Sequence, residues 1–148
     1  MMAYLLEDIG QALATQLKTL TEWNDGIKNV YSWHELPATL NEFPVGLLLP
    51  GVIQYDQDFT HHDTYPEVRF IICVERTDMA NGVARLMQFM GRDNENSVTA
   101  CLEANPRLTI DGTDYCDEAH CEQCLGIGNT EWGTGNYLSA EFRIRILA

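Results

Sequence analysis

The stretch PEVRFIICVERTDMANGVARLMQFM, residues 66–90, constrains the fold more than any other part of the sequence. Its first half is an apolar run rich in β-branched residues, with proline before it and charge after it, which is typical of a central strand buried on both faces. Thr77 and Asp78 then offer side chains that can cap a helix. The apolar residues that follow recur at helical spacing, and they are Met79, Val83, Leu86, Met87 and Met90. We therefore predict a central strand followed by a helix that packs back on the same sheet.

Both ends of the chain carry regular hydrophobic patterns. Near the N-terminus, apolar residues at helical spacing predict a long helix over about 4–22, and they are Leu6, Ile9, Leu13, Leu17 and Leu20. Near the C-terminus, apolar and polar residues alternate strictly, which predicts a strand with one buried and one wet face. The apolar members of this alternation are Leu138, Ala140, Phe142, Ile144 and Ile146.

Shorter signals complete the predicted fold. Short apolar or β-branched runs predict strands at 29–32, 45–49 and 108–110, with a further extended segment at 52–59. Asp111-Gly112 predicts a hairpin-type turn after the strand at 108–110. Ser97 can cap a short helix whose apolar face holds Val98, Cys101 and Leu102. The class is therefore α+β, with a mainly antiparallel sheet of four to five strands packed with the long N-terminal helix and the helix after the central strand. A length of 148 residues suits a single domain over 1–148, with a Cys/Gly-rich loop at 111–136.

The charge excludes several classes of function. The formal net charge is -13, with nine Lys and Arg. Nucleic-acid-binding faces and proteins that bind anionic membranes need concentrated basic residues, so we expect neither. The charge is compatible with a protein through which DNA merely passes, since an acidic wall repels phosphates.

The sequence begins without a basic signal-peptide region and has no apolar run of about 20 residues. We therefore expect a cytoplasmic site of synthesis, where its five Cys are reduced.

One segment suggests a metal. Cys116, His120, Cys121 and Cys124 lie close together in DYCDEAHCEQCLG. The C-x4-C-x2-C spacing resembles part of a plant-type [2Fe–2S] site, but no fourth Cys follows, so we reject an iron–sulfur cluster. Three thiolates and one imidazole suit structural zinc, although adjacent side chains such as His120 and Cys121 rarely reach one ion. Cys101 is the other candidate fourth ligand. The alternative is an acidic surface loop whose reduced thiols hold no metal.

Catalysis has no comparable support. The sequence shows no Ser/His/Asp or Cys/His constellation with the spacing of a nucleophilic site. The Gly-rich segment 126–136 lacks Lys and the strand–loop–helix order of a phosphate-binding loop. We therefore predict that the protein is not an enzyme, and we predict no catalytic residues and no cofactor apart from the zinc alternative.

The order of these features resembles the tail-terminator and head–tail-joining (neck) proteins of long-tailed bacteriophages. The matching segments are GIKNVY at 26–31, LPATL at 36–40, FPVGLLLPG at 43–51, the central strand with its helix, the helix at 97–104 with Pro106, and GNYLSAEF at 135–142. The resemblance covers most of the chain and rests on turns and strands.

The resemblance implies a virion protein of the phage tail or neck that is assembled in the host cytoplasm. Such subunits form a hexameric ring that caps the tail tube, stops its polymerisation and docks the head. The partners would be the tail tube protein and neck or head connector proteins, with DNA passing through the lumen without specific binding. Ring closure needs head-to-tail interfaces, for which a sheet edge or the long loops are candidates. The alternatives are a neck or head-completion connector and, from another class, a small structural-zinc or redox metal-binding domain. The Cys/His segment is not a feature of this family and would be a metal clip or a phage-specific contact.

Overall fold

The computed structural model describes residues 6–22, 27–55, 64–76, 79–91 and 97–147. Three α-helices form within these residues: α1 (Leu6–Leu17), α2 (Met79–Met90) and α3 (Val98–Glu103). The strands are β1 (Asn29–Tyr31), β2 (Val45–Leu49), β3 (Thr64–Val74), β4 (Thr109–Ile110), β5 (Thr113–Asp114), β6 (Glu118–Trp132) and β7 (Gly135–Leu147). Five strands form one sheet in the order β1-β2-β3-β7-β6, and β4 and β5 form a separate hairpin. The predicted α+β class and strand number are confirmed.

The central strand is β3, which pairs with β2 on one side and with β7 on the other. Its last five residues are buried, because Phe70, Ile72 and Val74 enter the core on one face while Ile71 and Cys73 enter a second cluster on the other. In β7 the apolar alternation lies in the core as predicted, with Ala140, Ile144 and Ile146 fully buried. Both predictions succeeded because the hydrophobic pattern is local to each strand.

The sheet is mixed, whereas we predicted a mainly antiparallel one. β1 runs parallel to β2, with Asn29 opposite Val45 and Tyr31 opposite Leu47, and the other three pairs are antiparallel. A parallel pair needs a crossover instead of a tight turn. The segment 32–44 makes that crossover over one face of the sheet, where its Leu40 is buried. A strand of three residues gives no sequence signal for its direction.

The helices differ in part from their predicted limits. The N-terminal α-helix ends at Leu17 and continues as a 3-10 helix, Lys18–Glu22, and the predicted start near residue 4 lies outside the described residues. The predicted caps Thr77 and Asp78 also lie outside them. The cap of α3 is confirmed, since the Ser97 hydroxyl accepts a hydrogen bond of 3.1 Å from the Ala100 N–H.

The predicted Cys/Gly-rich loop at 111–136 is wrong over most of its length, because this segment contains the 15-residue strand β6. The register of β6 against β7 shifts between Cys121 and Gln123 and again between Cys124 and Gly126. Each shift inserts an extra residue, which breaks the period of two by which a strand is recognised. The segment predicted to be extended at 52–59 forms no strand over its described residues 52–55, but Gln54 makes an antiparallel bridge to Thr64 with backbone hydrogen bonds of 2.7 and 2.9 Å.

The two faces of the sheet are covered differently. The main core lies between one face and the helices, with Leu13, Phe70, Leu102 and Phe142 among its buried members. On the other face the segment 32–44 covers a smaller cluster around Leu47 and is tied to the end of β6 where Trp132 Nε1 donates to Pro37 O at 2.7 Å. No helix among the described residues is long and apolar enough to cross a membrane.

Candidate functional site

The candidate functional site is the outer edge of β6. This strand is last in the sheet order and pairs with β7 alone, and no other strand of the described chain lies against its outer edge. A strand in this position presents a row of unpaired N–H and C=O groups that can pair with another chain. Near the start of β6 the Ala119 N–H already donates to Pro106 O at 2.6 Å, so the open part of this edge lies further along the strand.

The two register shifts divide this edge into two parts. We call residues 118–125 the bulged half and residues 126–132 the regular half. Across the shifts, Cys121, Cys124 and Ile127 all lie opposite core-facing residues of β7, so every third residue faces the helices. Natural proteins protect exposed edges with bulges and charged residues. The bulged half has both, with Glu118 and Glu122, whereas the regular half has Glu131 as its one charged residue.

The regular half and the residue before it expose apolar side chains beside open backbone. The side chain of Leu125 is 46% exposed and that of Ile127 is 36% exposed. Gly126 and Gly128 alternate with them, and a Cβ placed on either glycine would meet no atom within 4 Å. Another strand can therefore approach this backbone closely while contacting exposed apolar side chains. These are the properties of a surface for strand addition.

The structure separates the four residues predicted to bind zinc. His120 lies opposite Arg145 on the outer face of the sheet, with its ring nitrogens 3.6 Å from a Glu118 oxygen and 3.7 Å from a Glu122 oxygen. Cys121 and Cys124 face the helix side, because strand geometry turns adjacent residues to opposite faces. Among the described residues, no group of three or more His, Cys, Asp and Glu side chains could hold a metal ion.

The remaining thiols point into the core. The Cys116 thiol lies 3.6 Å from Pro106 O, and the Cys101 thiol donates to Gln16 O at 3.2 Å, on the side of α1. Burial raises the pKa of Cys116 to about 12 and raises the pKa values of Cys101 and Cys121 above the ordinary 9.0. Because the thiolate is both the metal ligand and the nucleophile, burial keeps these three groups in their inactive form at neutral pH.

The outer face of the sheet is a network of paired charges. Arg69 Nε donates to Glu141 Oε1 at 3.0 Å, and Arg143 lies 3.8 Å from a Glu67 oxygen. Arg145 lies 3.5 Å from a Glu122 oxygen. Each arginine of this face is thus held by a carboxylate, which leaves no concentrated positive charge here for phosphate groups.

The bulged half also borders a groove of about 810 Å³, which we call the edge groove. It runs between this part of β6 and the short helix α3, with Phe142 of β7 and Met90 at the end of α2 also lining it. Cys121 and Cys124 both line this groove. Sequence reasoning missed this feature because it depends on β6 being a strand.

Comparison with known proteins identifies no family, since no protein-family model and no curated protein matches the chain.

Proposed function

We propose that the protein is a virion structural protein, a tail terminator whose subunits close into a ring, most simply the hexamer that the phage resemblance implies. The observation that carries the proposal is the regular half of β6, an open strand edge without a bulge that exposes the side chain of Ile127. In the ring, this edge receives a different surface of the neighbouring subunit. Repeating such a head-to-tail contact around an axis closes a ring.

The opposite edge of the sheet, formed by β1, is less suited than β6 to pairing with another subunit. β1 has three residues, against 15 in β6, and the N–H of Val30 within it donates to the Asn29 side chain at 2.9 Å. A short strand whose backbone group is already satisfied by its own chain offers little for a neighbour to pair with. The subunit is therefore polarised, with one edge much more open than the other, as a head-to-tail interface requires.

The net charge of the subunit supports the proposed passage of DNA through the ring. A net charge of -13 and the paired arginines of the outer face suit a ring through which DNA passes without specific binding. The partners of such a ring are the tail tube protein and the neck or head connector proteins of the virion, with assembly in the host cytoplasm. A neck or head-completion connector would use the same edge and differ in the proteins it contacts.

Electron microscopy of the purified protein, with a pair of matched variants, tests the proposal. The Val52 side chain is 45% exposed, against 36% for Ile127, and Val52 follows β2, which β3 and β7 separate from β6. We expect rings for the wild type and for Val52→Lys, and single subunits for Ile127→Lys, because the charge would be buried against the neighbouring strand. Rings formed equally well by Ile127→Lys would show that this edge is not the interface.

A further inference from the structure

The edge groove brings several sulfur-containing side chains to one surface. Cys121 and Cys124 of β6 line it together with Met90, the last residue of α2. These two thiols are partly exposed, whereas the other three cysteines of the chain are buried. Thiolates and thioethers are soft ligands, and such ligands favour soft metal ions such as copper(I). The groove therefore offers a soft ion sulfur ligands that solvent can reach.

A bulge places the two thiols on the same face of the sheet. In a regular strand, residues three positions apart point to opposite faces. The register shift between Cys121 and Gln123 inserts one residue, and Cys121 lies opposite Ile144 of β7. Cys124 lies opposite Phe142, which is two residues from Ile144 and also belongs to the main core. Both thiols therefore face the helix side and are neighbours along β6.

The spacing of the two positions suits a shared metal ion. Two strand steps of about 3.3 Å separate the Cα atoms of Cys121 and Cys124 by about 7 Å. Two thiolates on one ion lie about 4–5 Å apart, since a metal–sulfur bond is about 2.3 Å long for zinc. Rotation about the two Cα–Cβ bonds covers the difference without moving the backbone. A disulfide needs Cα atoms about 4.4–6.8 Å apart, so direct oxidation of this pair is at its geometric limit.

The two thiols also influence each other electrostatically. Burial raises the pKa of Cys121, and the nearby Cys124 raises it further. Two adjacent thiolates repel each other, and a cation between them removes this repulsion. A bound metal ion deprotonates its thiol ligands outright, so both protons pass to the solvent when the ion binds. Two thiolates and one copper(I) ion then carry a single net negative charge.

We propose that Cys121 and Cys124 bind one copper(I) ion, with the Met90 thioether as a third ligand. Structural zinc takes four ligands in a tetrahedron, whereas copper(I) forms stable complexes with fewer sulfur ligands. His120, which the zinc hypothesis included, lies on the outer face of the sheet and takes no part. The proposed site involves the bulged half of β6 and is independent of ring formation through the regular half.

Competition with a coloured chelator tests the site. Reduced protein is mixed without oxygen with copper(I) held by bathocuproine disulfonate, and the loss of colour reports the copper that the protein removes. We expect one copper per subunit for the wild type. Cys121→Ser and Cys124→Ser should each weaken binding by at least about 100-fold, and Met90→Leu, which keeps an apolar side chain, by about tenfold. Cys73→Ala is the matched control, because it removes a thiol from the cluster on the opposite face.

Labelling with N-ethylmaleimide, located by mass spectrometry, gives a second readout that needs no variant. Equimolar copper(I) should protect Cys121 and Cys124, equimolar zinc should leave both reactive, and the buried Cys73 should stay unlabelled throughout. Copper that stays on the chelator while both thiols react would overturn the proposal. Equal protection by zinc would also overturn it, as would copper binding that survives Cys121→Ser or is lost in Cys73→Ala.

Discussion

Phe142 and Arg143 are neighbours in β7, but their side chains lie on opposite faces of the sheet. Phe142 is 1% exposed, and its ring centroid lies 6.2 Å from that of Phe70 in the main core. Arg143 lies on the outer face, where its guanidinium donates to Gln123 Oε1 at 3.3 Å. One position therefore contributes to the free energy of folding mainly through burial, and the next through an exposed polar contact.

We predict that Phe142→Asp prevents folding, whereas Arg143→Ala leaves the melting temperature nearly unchanged. Removing a buried phenyl ring costs about 3–5 kcal/mol, and an unpaired buried carboxylate adds several more, against a total stability of about 5–15 kcal/mol. An exposed pair contributes about 0–1 kcal/mol. Thermal denaturation followed by circular dichroism distinguishes the two. A Phe142→Asp protein that melts like the wild type would show that this strand face is assigned wrongly.

Buried thiols should make the protein sensitive to alkaline pH. Burial raises the pKa of Cys73 from 9.0 to about 12. The unfolded chain therefore loses this proton from about pH 9, whereas the folded protein keeps it until about pH 12. The resulting stability is fully present below pH 9 and is lost as the pH rises toward 12.

We predict that Cys73→Ala loses less stability than the wild type between pH 8 and pH 11. The difference should be about 2–3 kcal/mol, at about 1.4 kcal/mol for each pH unit above 9. Urea denaturation at the two pH values measures it, and any cost of the substitution at pH 8 cancels in the comparison. Equal losses in both proteins would mean that Cys73 titrates normally in the folded state.

Elements whose sequence signal lies within one short segment were predicted correctly, whereas features that depend on contacts between distant segments were not. The alternation in β7, the run in β3 and the cap at Ser97 each depend on residues close in sequence, and each is found in the structure. The Asp111–Gly112 turn also joins β4 to β5 as a hairpin, with both residues at positive φ. Such features are predictable because their physical causes lie within one element.

The features missed from the sequence depend on partners. β6 is a strand because β7 lies beside it, and its two bulges conceal the period of two. The metal hypothesis assumed a loop, in which His120 and the thiols could converge, whereas adjacent residues of a strand face opposite sides of the sheet.

Packing between α1 and the segment after β1 gives a third prediction. A Cβ at Gly10 would overlap the indole of Trp33, whose Nε1 donates to Leu6 O at 3.2 Å. Helix propensity alone would favour Ala here by about 1 kcal/mol. Overpacking costs about 1–3 kcal/mol, so we predict that Gly10→Ala is net destabilising by about 1 kcal/mol.

Gly128→Ala is the matched control at protein concentrations below ring assembly, because a Cβ at Gly128 meets open space in the single subunit. This variant should be neutral or slightly stabilised, since glycine in a strand has an entropic cost. Chemical denaturation of both variants measures the two changes. A stabilised Gly10→Ala would show that α1 and Trp33 are packed less closely than the structure has them.

At the scale of the whole molecule, net charge opposes assembly. Each subunit carries -13, so bringing copies together costs electrostatic free energy that salt reduces. The screening length falls from about 30 Å at 0.01 M salt to about 8 Å at 0.15 M. We therefore predict that the assembled fraction, measured by light scattering at one protein concentration, rises with salt. A ring that dissociates as salt is added would require an interface held by ion pairs.

Native mass spectrometry over a concentration series is the most direct test of whether the subunit closes into a ring through its open sheet edge, as we propose. We expect one closed oligomer above a threshold concentration, with six times the 16.7 kDa subunit mass for the hexamer. The same spectra report any bound zinc as a stoichiometric mass excess that a chelator removes. A single subunit at every concentration, with no larger species, would show that the protein does not close into a ring.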